Sequence, residues 1–394
     1  MQTADLRSRD FQKILLIKLS ALGDVVHTLP VVNALRARYP KARIDWLIAT
    51  EFAELVEDHP AVSNVIVFSR GDWSAPWRPA PYINAARLIA TLRAAEYDLV
   101  VDLQGQLRSA AFAFACGAPV RVGFDKPRKD IWNALTRKIP DDAKKHAWQG
   151  AREGAWLAYT HHLQLPTLDL HPVERYLGVA PMLGLDAAAP DFSLPIPPQA
   201  VTRIEALLDY YDVGKATPLA VMAAGTNWAT KQWRKDGFAE VARHLLQKNL
   251  AVVLIGSESE RALCEEVSKL APGAIDLAGE TTLPELAALM RRATLCISND
   301  SGPMHLAAAL GRPVIGLFGP TDPVWAGPYR QGDGVLRVEL ACSPCYLREL
   351  SRCPNAHACM ENLSSSRVTA LAEAIVAKSP LRGRSAAPLQ QNVR

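Results

Sequence analysis

The chain has 394 residues, 49% of them hydrophobic and 21% charged, and its formal net charge is +4. This length predicts two or three domains at about 150 residues each, and so mild a charge argues against a nucleic-acid-binding protein, whose domains are usually strongly basic. No apolar run reaches the ~18 residues of a membrane-spanning helix, and the polar start MQTADLRSRDFQK lacks the apolar core of a signal peptide. We therefore expect a cytoplasmic protein whose seven cysteines form no disulfide framework.

Short apolar runs alternate with helix-like segments along most of the chain. In the first half, strands are predicted over residues 14–18, 44–49, 64–68 and 97–102, and helices over residues 31–39, 52–58 and 84–95. In the second half, the strand-like runs are PLAVMAAG, LAVVLIG, ATLCISND and PVIGLFG, with helices over residues 236–248, 259–270 and 302–311. Buried strands separated by helices of this length predict βαβ units and parallel sheets, an α/β fold.

A stretch rich in proline and alanine, APMLGLDAAAPDFSLPIPPQA, separates the two halves of this pattern. Such composition is typical of an inter-domain connection. We therefore predict an N-terminal domain over residues 1–185, a linker over 186–215 and a C-terminal domain over 216–378, whose last helix is a candidate to pack back on the N-terminal domain. Residues 379–394 lack apolar periodicity, which predicts a disordered tail.

The first candidate functional residue is an aspartate at the end of the first strand. In KLSALGDVVHTLPVVNALRARYP, Asp24 directly follows Gly23 where the strand is expected to turn into a helix. A carboxylate at that point is either a cap at the start of the helix or a general base. The residues alone leave both roles open.

A second motif, SNDSGPMHLAAALGRPVIGLFGPTDP, joins a strand to a helix in the C-terminal half. Asp300, Ser301 and Gly302 precede the helix, whose free N–H groups and dipole favour a phosphate, and His305 lies one turn further on. Ligands of open α/β sheets bind at the carboxyl ends of strands. A well-capped helix without a ligand explains the same residues equally well.

Two more loops follow predicted strands in this half. In AAGTNWATKQWRKDGF, Thr226 and Asn227 offer hydrogen bonds and Lys231 a positive charge that would neutralise a departing pyrophosphate, although most lysines are simply solvated. In LIGSESERAL, Glu258 or Glu260 is placed to accept hydrogen bonds from a ribose. Acidic residues that complement the helix dipole account for the same pattern.

Several motifs of other enzyme classes are absent from the sequence. It contains no Walker A lysine loop, and no G-x-G-x-x-G follows the first strand, which argues against a P-loop NTPase and a nicotinamide-dependent oxidoreductase. H-E-x-x-H and G-x-S-x-G motifs are also absent. A cysteine cluster in CSPCYLRELSRCPNAHACM offers four thiols to a zinc ion, but the second pair is spaced more widely than in a zinc ribbon, and reduced thiols without a metal are the simpler interpretation. The four are Cys342, Cys345, Cys353 and Cys359.

Taken together, KILLIKLSALGDVVHTLPVVNALR and ISNDSGPMHLAAALGRPVIGLFGPTDP resemble the ADP-heptose:lipopolysaccharide heptosyltransferases, glycosyltransferase family 9. The resemblance runs from about residue 13 to 375, and DLVVDLQGQLRSA, WQGAREGAWLAYTHH and HPVERYL are most similar to heptosyltransferase I. It implies a GT-B fold, with two Rossmann-like domains facing across a cleft, and no essential metal or other cofactor. It also implies inverting transfer from ADP-L-glycero-D-manno-heptose to the Kdo sugar of lipopolysaccharide, by an enzyme peripheral on the cytoplasmic face of the inner membrane.

The resemblance also implies roles for individual residues. Asp24 matches the general base of the family, and Arg152 matches a basic position near the acceptor. The positions that match the donor site are Thr226, Asn227 and Lys231 for the phosphates, Glu260 for the ribose, and Asp300, Ser301, Gly302 and His305 for the nucleotide sugar.

Some features depart from heptosyltransferase I and leave alternatives open. Residues 126–147 look like an insertion whose basic and aromatic side chains either contact lipid headgroups or acceptor phosphates or form a plain surface excursion. Pro172 stands in HPVERYL where alanine is usual. Cysteine clusters like this one also occur in heptosyltransferase II, so that enzyme, or a family member with another acceptor, stays an alternative. More distant alternatives are a Rossmann-type oxidoreductase and a non-catalytic nucleotide-sugar-binding protein.

Overall fold

The computed structural model describes residues 5–69, 79–127, 150–167 and 170–378. The chain divides into two compact units, with the boundary between Pro195 and Ile196 in the described part. Most of the predicted insertion, from residue 128 to 147, and the whole predicted tail, 379–394, lie outside the described residues.

Each unit is built on one parallel sheet of six described strands. The first sheet contains β1 (Lys13–Ile17), β2 (Arg43–Ala49), β3 (Asn64–Phe68), β4 (Leu99–Asp102), β5 (Val120–Phe124) and β6 (His161–Leu163). The second contains β7 (Leu219–Ala223), β8 (Ala251–Ile255), β9 (Ile275–Asp276), β10 (Leu295–Asn299), β11 (Val314–Phe318) and β12 (Val335–Arg337). The orders are β3-β2-β1-β4-β5-β6 and β12-β11-β10-β7-β8-β9, so each sheet has the strand order of the Rossmann fold.

Helices connect these strands in both units. The first unit contains α1 (Leu22–Arg38), α2 (Thr50–Ala53), α3 (Ala80–Ala94), α4 (Leu107–Ala115), α5 (Pro172–Leu177) and α6 (Ala180–Leu183). The second contains α7 (Pro198–Tyr210), α8 (Lys235–Gln247), α9 (Arg261–Leu270), α10 (Leu283–Arg292), α11 (Gly302–Ala309), α12 (Pro323–Ala326), α13 (Ala358–Glu361) and α14 (Ser365–Lys378). In the described ranges no helix is both long enough and apolar enough to cross a bilayer.

The central strands are apolar on both faces because helices cover both faces of a parallel sheet. Four consecutive residues of β1, ILLI, are fully buried, and all five residues of β7 are buried. In the second unit, Trp233 and Phe238 meet edge to face with ring centroids 5.0 Å apart. Protein interiors packed this closely leave side chains little room to move.

The predicted elements agree with the structure except at a few boundaries. The first helix begins at Leu22, next to the expected turn from strand to helix at Asp24 but nine residues before the predicted helical span 31–39, and it continues through Pro30. Proline usually marks the start of a helix because it cannot donate the interior hydrogen bond. Here burial of the residues on both sides of Pro30 favours one continuous helix. Where a helix was predicted over residues 52–58, the structure has only the short helix α2, which ends at Ala53 and is followed by non-helical turns.

The predicted linker, residues 186–215, is divided by the structure. Residues up to Pro195 belong to the first unit, and residues from Ile196 onward belong to the second. Pro198–Tyr210 form α7, which packs on α10. The last helix packs against α8, β10 and β11 of the second unit, through buried residues spaced four apart: Val368, Ala372 and Val376.

Candidate active site

In the first sheet the direction of strand order reverses between β1 and β4, and ligands of such folds bind at the carboxyl edge of that point. Asp24 lies there, on the first turn of α1, with its side chain 39% exposed. Its Oδ2 accepts a hydrogen bond of 3.3 Å from the backbone N–H of Ala21. The carboxylate therefore makes a helix-start contact and is also accessible, so the capping role and the catalytic role are compatible.

The other oxygen of this carboxylate belongs to a buried polar network. Tyr176 of α5 donates to Oδ1 of Asp24 at 2.5 Å, and the Nζ of Lys18 lies 3.5 Å from the same oxygen. Burial lowers the pKa of Lys18 from its ordinary value, and the Asp24 carboxylate is the first of the charges that oppose this shift. Burial, followed by the charge of Asp24, raises the pKa of Tyr176 well above 10, so its hydroxyl stays a donor.

The loop after β4 connects the Asp24 region to the predicted acceptor residue. The Oε1 of Gln104 accepts from the backbone N–H groups of Leu19 and Ser20, just before α1. The next residue, Gly105, accepts at its carbonyl from the backbone N–H of Arg152 at 2.8 Å. The structure thus brings the backbone of Arg152 to the same sheet edge as the Asp24 loop.

In the second sheet the strand order reverses between β7 and β10. The loop after β7 carries Lys231 and the loop after β10 carries Asp300, and their side chains form an ion pair with 2.7 Å between Nζ and Oδ2. Thr321, after β11, donates to the same Oδ2 at 2.6 Å. Lys231 also lies 4.3 Å from the ring centroid of Trp228. This lysine is therefore held in place by its neighbours, whereas a solvated surface lysine would not be.

The rest of the predicted donor site lies at this same edge. Asn299 joins the two loops, because its amide donates to the carbonyl of Ala224 at 2.7 Å and accepts from the N–H of Trp233 at 3.0 Å. The predicted helix start is confirmed: α11 begins immediately after Asp300 and its neighbour Ser301. The remaining predicted positions are Gly302, the first residue of α11; His305, buried in its first turn; Thr226, half-buried; and Asn227, exposed.

Glu260 lies next to the loop after β7, which carries Thr226, Asn227 and Lys231. Its Oε2 accepts from the N–H and the hydroxyl of Ser257, at 2.7 and 2.8 Å, so it caps the turn after β8. Its Oε1 lies against Gly225, where a Cβ atom would come within 2.0 Å. Glu258, the alternative in the sequence, instead pairs with Arg261 at 2.8 Å. The structure therefore singles out Glu260 as the carboxylate that contacts the β7 loop.

The four cysteines of the cluster line one cavity of about 90 Å³ beside the loop after β11. All four are free thiols, and burial raises the pKa of Cys359 to about 11. Within the described ranges, no three of these sulfur atoms all lie within 4.8 Å of one another, the spacing of a metal site. The cluster connects to the loop after β7 through Leu347, whose carbonyl accepts from the hydroxyl of Thr230 at 2.6 Å.

Several residues of both sites escaped the sequence analysis. Lys18 and Tyr176 stand in the two quoted motifs KLSALGD and HPVERYL, yet neither was assigned a role. One sequence signal points to Lys18: it directly follows the apolar run ILLI, where burial is expected. Because lysine is rarely buried without a partner, a lysine at that position indicates a polar contact. Nothing in the local pattern of Thr321 indicates that it contacts Asp300.

Each site has a definite chemical capacity. In the first unit, the carboxylate of Asp24 is partly exposed and firmly held, which suits a general base. In the second unit, a fixed cation and the start of α11 lie at one sheet edge, which suits a diphosphate group.

Comparison with known proteins identifies the family. The model of glycosyltransferase family 9 (heptosyltransferase) matches residues 85–149 and 134–356. Lipopolysaccharide heptosyltransferase 1 of Pseudomonas aeruginosa is 31% identical over 347 residues, covering 84% of this chain and 86% of that protein. Lipopolysaccharide heptosyltransferase 1 of Escherichia coli K12 is 30% identical over 362 residues, covering 90% and 99%.

The fold comparison agrees with the family match. The structure of the Escherichia coli heptosyltransferase WaaC with ADP superposes with a TM-score of 0.67 at 25% identity, covering 92% of this chain and all of that one. The family match, the similar proteins and the two Rossmann-type sheets lead to one conclusion. This chain is a GT-B glycosyltransferase that belongs to family 9.

Proposed function

We propose that this enzyme transfers L-glycero-D-manno-heptose from ADP-heptose to the Kdo sugar of the lipopolysaccharide inner core, with inversion at the anomeric carbon. The observation that carries this proposal is the likeness to heptosyltransferase 1 at 30–31% identity over 84–90% of the chain. The WaaC complex with ADP supports the nucleotide part of the donor.

The proposed base is Asp24 in the first unit. In an inverting transfer the acceptor hydroxyl attacks the anomeric carbon from the face opposite the leaving ADP. A carboxylate within hydrogen-bond reach takes the hydroxyl proton as the new bond forms. The partial exposure of Asp24 and the firm hold on its Oδ1 support this role, and Arg152 is proposed to contact the anionic acceptor.

The proposed donor site lies in the second unit. Negative charge builds on the pyrophosphate as the bond to the heptose breaks, and Lys231 and the start of α11 would stabilise that charge. Thr226 and Asn227 are proposed to bind the phosphates, and Glu260 the ribose. The remaining donor contacts are assigned to Asp300, Ser301, Gly302 and His305.

Product analysis after incubation with ADP-heptose and Kdo-lipid A tests the proposed reaction. We expect a product heavier than the acceptor by one heptose. Transfer restricted to an acceptor that already carries heptose would instead assign the enzyme as heptosyltransferase II. Because the acceptor is lipid-linked, we also propose that the enzyme works at the cytoplasmic face of the inner membrane, which co-sedimentation with acceptor-containing vesicles tests.

Asp24→Asn tests the assignment of the base. We expect transfer to fall by about 10²–10⁴-fold, with ADP-heptose binding unchanged in calorimetry. Asp236→Asn is a matched control, because Asp236 also lies in the first turn of a helix, α8, and has no proposed role. Full transfer activity in Asp24→Asn would remove Asp24 from the mechanism and leave it only the helix-start contact.

A further inference from the structure

Asp24 is held by side chains from two other elements of the first unit. Lys18 directly follows β1 and is 3% exposed, and Tyr176 on α5 is 4% exposed. The Nζ of Lys18 donates to the carbonyl of Leu103 at 3.0 Å and to the hydroxyl of Tyr176 at 2.7 Å. That hydroxyl in turn donates to Oδ1 of Asp24 at 2.5 Å.

The donors and acceptors in this network match in number. An ammonium group has three N–H donors and no acceptor, and Lys18 has three acceptors around it: Leu103, Tyr176 and, at 3.5 Å, Asp24. The hydroxyl of Tyr176 accepts from Lys18 and has only its own proton to give, which goes to Asp24. The arrangement thus matches a charged lysine, because each of its three N–H groups has an acceptor.

The backbone around Lys18 is fixed as well. Its carbonyl accepts from the indole N–H of Trp46 at 3.2 Å, and Trp46 is fully buried. Lys18 also lies 4.5 Å from the ring centroid of Tyr176. Neither side chain can leave without leaving a buried polar group unsatisfied, which is costly.

We propose that Lys18 and Tyr176 are positioning residues for the transfer: they fix Oδ1 of Asp24 and thereby the orientation of the carboxylate that takes the proton of the acceptor hydroxyl. This inference rests on the proposed function, because it takes Asp24 as the base. A carboxylate that can rotate would lose the geometry that proton transfer needs.

Two other charged side chains and a pair of histidine rings lie on the elements around this network. Asp102, at the end of β4, and Arg175, on α5, act on Lys18 in opposite directions, and Arg175 also acts on Tyr176. The rings of His27 on α1 and His171 at the start of α5 lie with their centroids 4.9 Å apart. Tyr176→Phe removes only the hydroxyl and leaves each of these neighbouring side chains in the sequence unchanged.

Tyr176→Phe in the full-length enzyme tests the proposal with little change in packing. We expect kcat to fall by about 10- to 100-fold, the usual worth of a hydrogen bond to a charged group, with the KM for ADP-heptose unchanged. The acidic limb of the kcat/KM profile should move to higher pH, because a base that has lost a donor to its charged form ionises less readily.

Tyr97→Phe is the matched control. Tyr97 is equally buried and donates to Oδ2 of Asp45 at 2.6 Å, so its variant loses the same kind of hydrogen bond at a position with no role in transfer. We expect a loss of stability similar to that of Tyr176→Phe, with kcat and the pH profile unchanged. If kcat and the pH profile changed equally in the two variants, Tyr176 would have only a structural role.

The outcomes separate this inference from the proposed function. Transfer abolished in Asp24→Asn, together with a Tyr176→Phe variant whose kcat and pH profile match the parent enzyme, would overturn the positioning role and keep Asp24 as the base. Full transfer in Asp24→Asn would overturn the proposed base itself. Lys18→Met should reproduce the pH shift of Tyr176→Phe, and an unshifted profile there contradicts the role of Lys18.

Discussion

The sharpest steric prediction concerns Gly225, in the loop after β7. A Cβ atom at this position would lie 2.0 Å from Oε1, 2.1 Å from Cδ and 2.6 Å from Cγ of Glu260. The φ angle of Gly225 is outside the left-handed region, so the effect of Gly225→Ala is steric and owes nothing to the backbone conformation.

Glu260 cannot move aside without a loss. Its Oε2 accepts two hydrogen bonds from Ser257, at 2.7 and 2.8 Å, and moving the carboxylate by about the width of a methyl group breaks them. An inserted methyl group of this kind costs about 1–3 kcal/mol. A glycine-to-alanine change at an unstrained position otherwise stabilises a protein by about 0.4–1 kcal/mol through the unfolded state.

The free energy of unfolding in urea measures this effect. Gly332→Ala is the control, because a Cβ there meets no atom within 4 Å and its φ is not left-handed. We expect Gly225→Ala to be about 1–3 kcal/mol less stable than this control. In calorimetry, Gly225→Ala should also weaken ADP binding, since the displaced Glu260 belongs to the proposed donor site.

A double-mutant cycle shows whether the clash is the cause. Glu260→Ala removes the three atoms that lie nearest to the added Cβ, so adding Gly225→Ala to that variant should cost much less than it does in the parent enzyme. The resulting coupling should lie between about 0.5 and 3 kcal/mol. Independent effects of the two substitutions, or a Gly225→Ala variant as stable as the control, would refute the close approach of Glu260 to Gly225.

Two further predictions concern the second unit. Lys231→Met removes the cation of an ion pair whose side chains, Lys231 and Asp300, are 15% and 5% exposed. Because the buried charge of Asp300 then lacks its cation, the free energy of unfolding in urea should fall by about 3–5 kcal/mol. A loss below ~1 kcal/mol would contradict the ion pair. Burial raises the pKa of Cys264 and Cys296 to about 12, so at pH 8 they stay protonated. Peptide mass spectrometry should find iodoacetamide alkylation at least about tenfold slower there than at the half-buried Cys342, and equal rates would contradict their burial.

The sequence by itself determined the class of fold and the edges where the sites lie. Apolar runs that end in Gly, Asp or Asn predicted buried parallel strands, and side chains just after such strands fall at the carboxyl edge of a sheet. For that reason Asp24, Lys231 and Asp300 could be selected before any coordinates. The sequence also indicated a turn from strand to helix at Asp24, but the predicted helical span covered only residues 31–39, and the structure shows that α1 runs on through Pro30.

The tertiary structure alone decided which residues meet. Tyr176 is 152 positions from Asp24, and Thr321 contacts Asp300 only because β11 lies beside β10. Periodicity reports which face of an element is buried, but it carries no information on the order of strands in a sheet. Contacts between loops follow from that order, so the partners that hold Asp24 and Lys231 emerge only when the sheets are assembled.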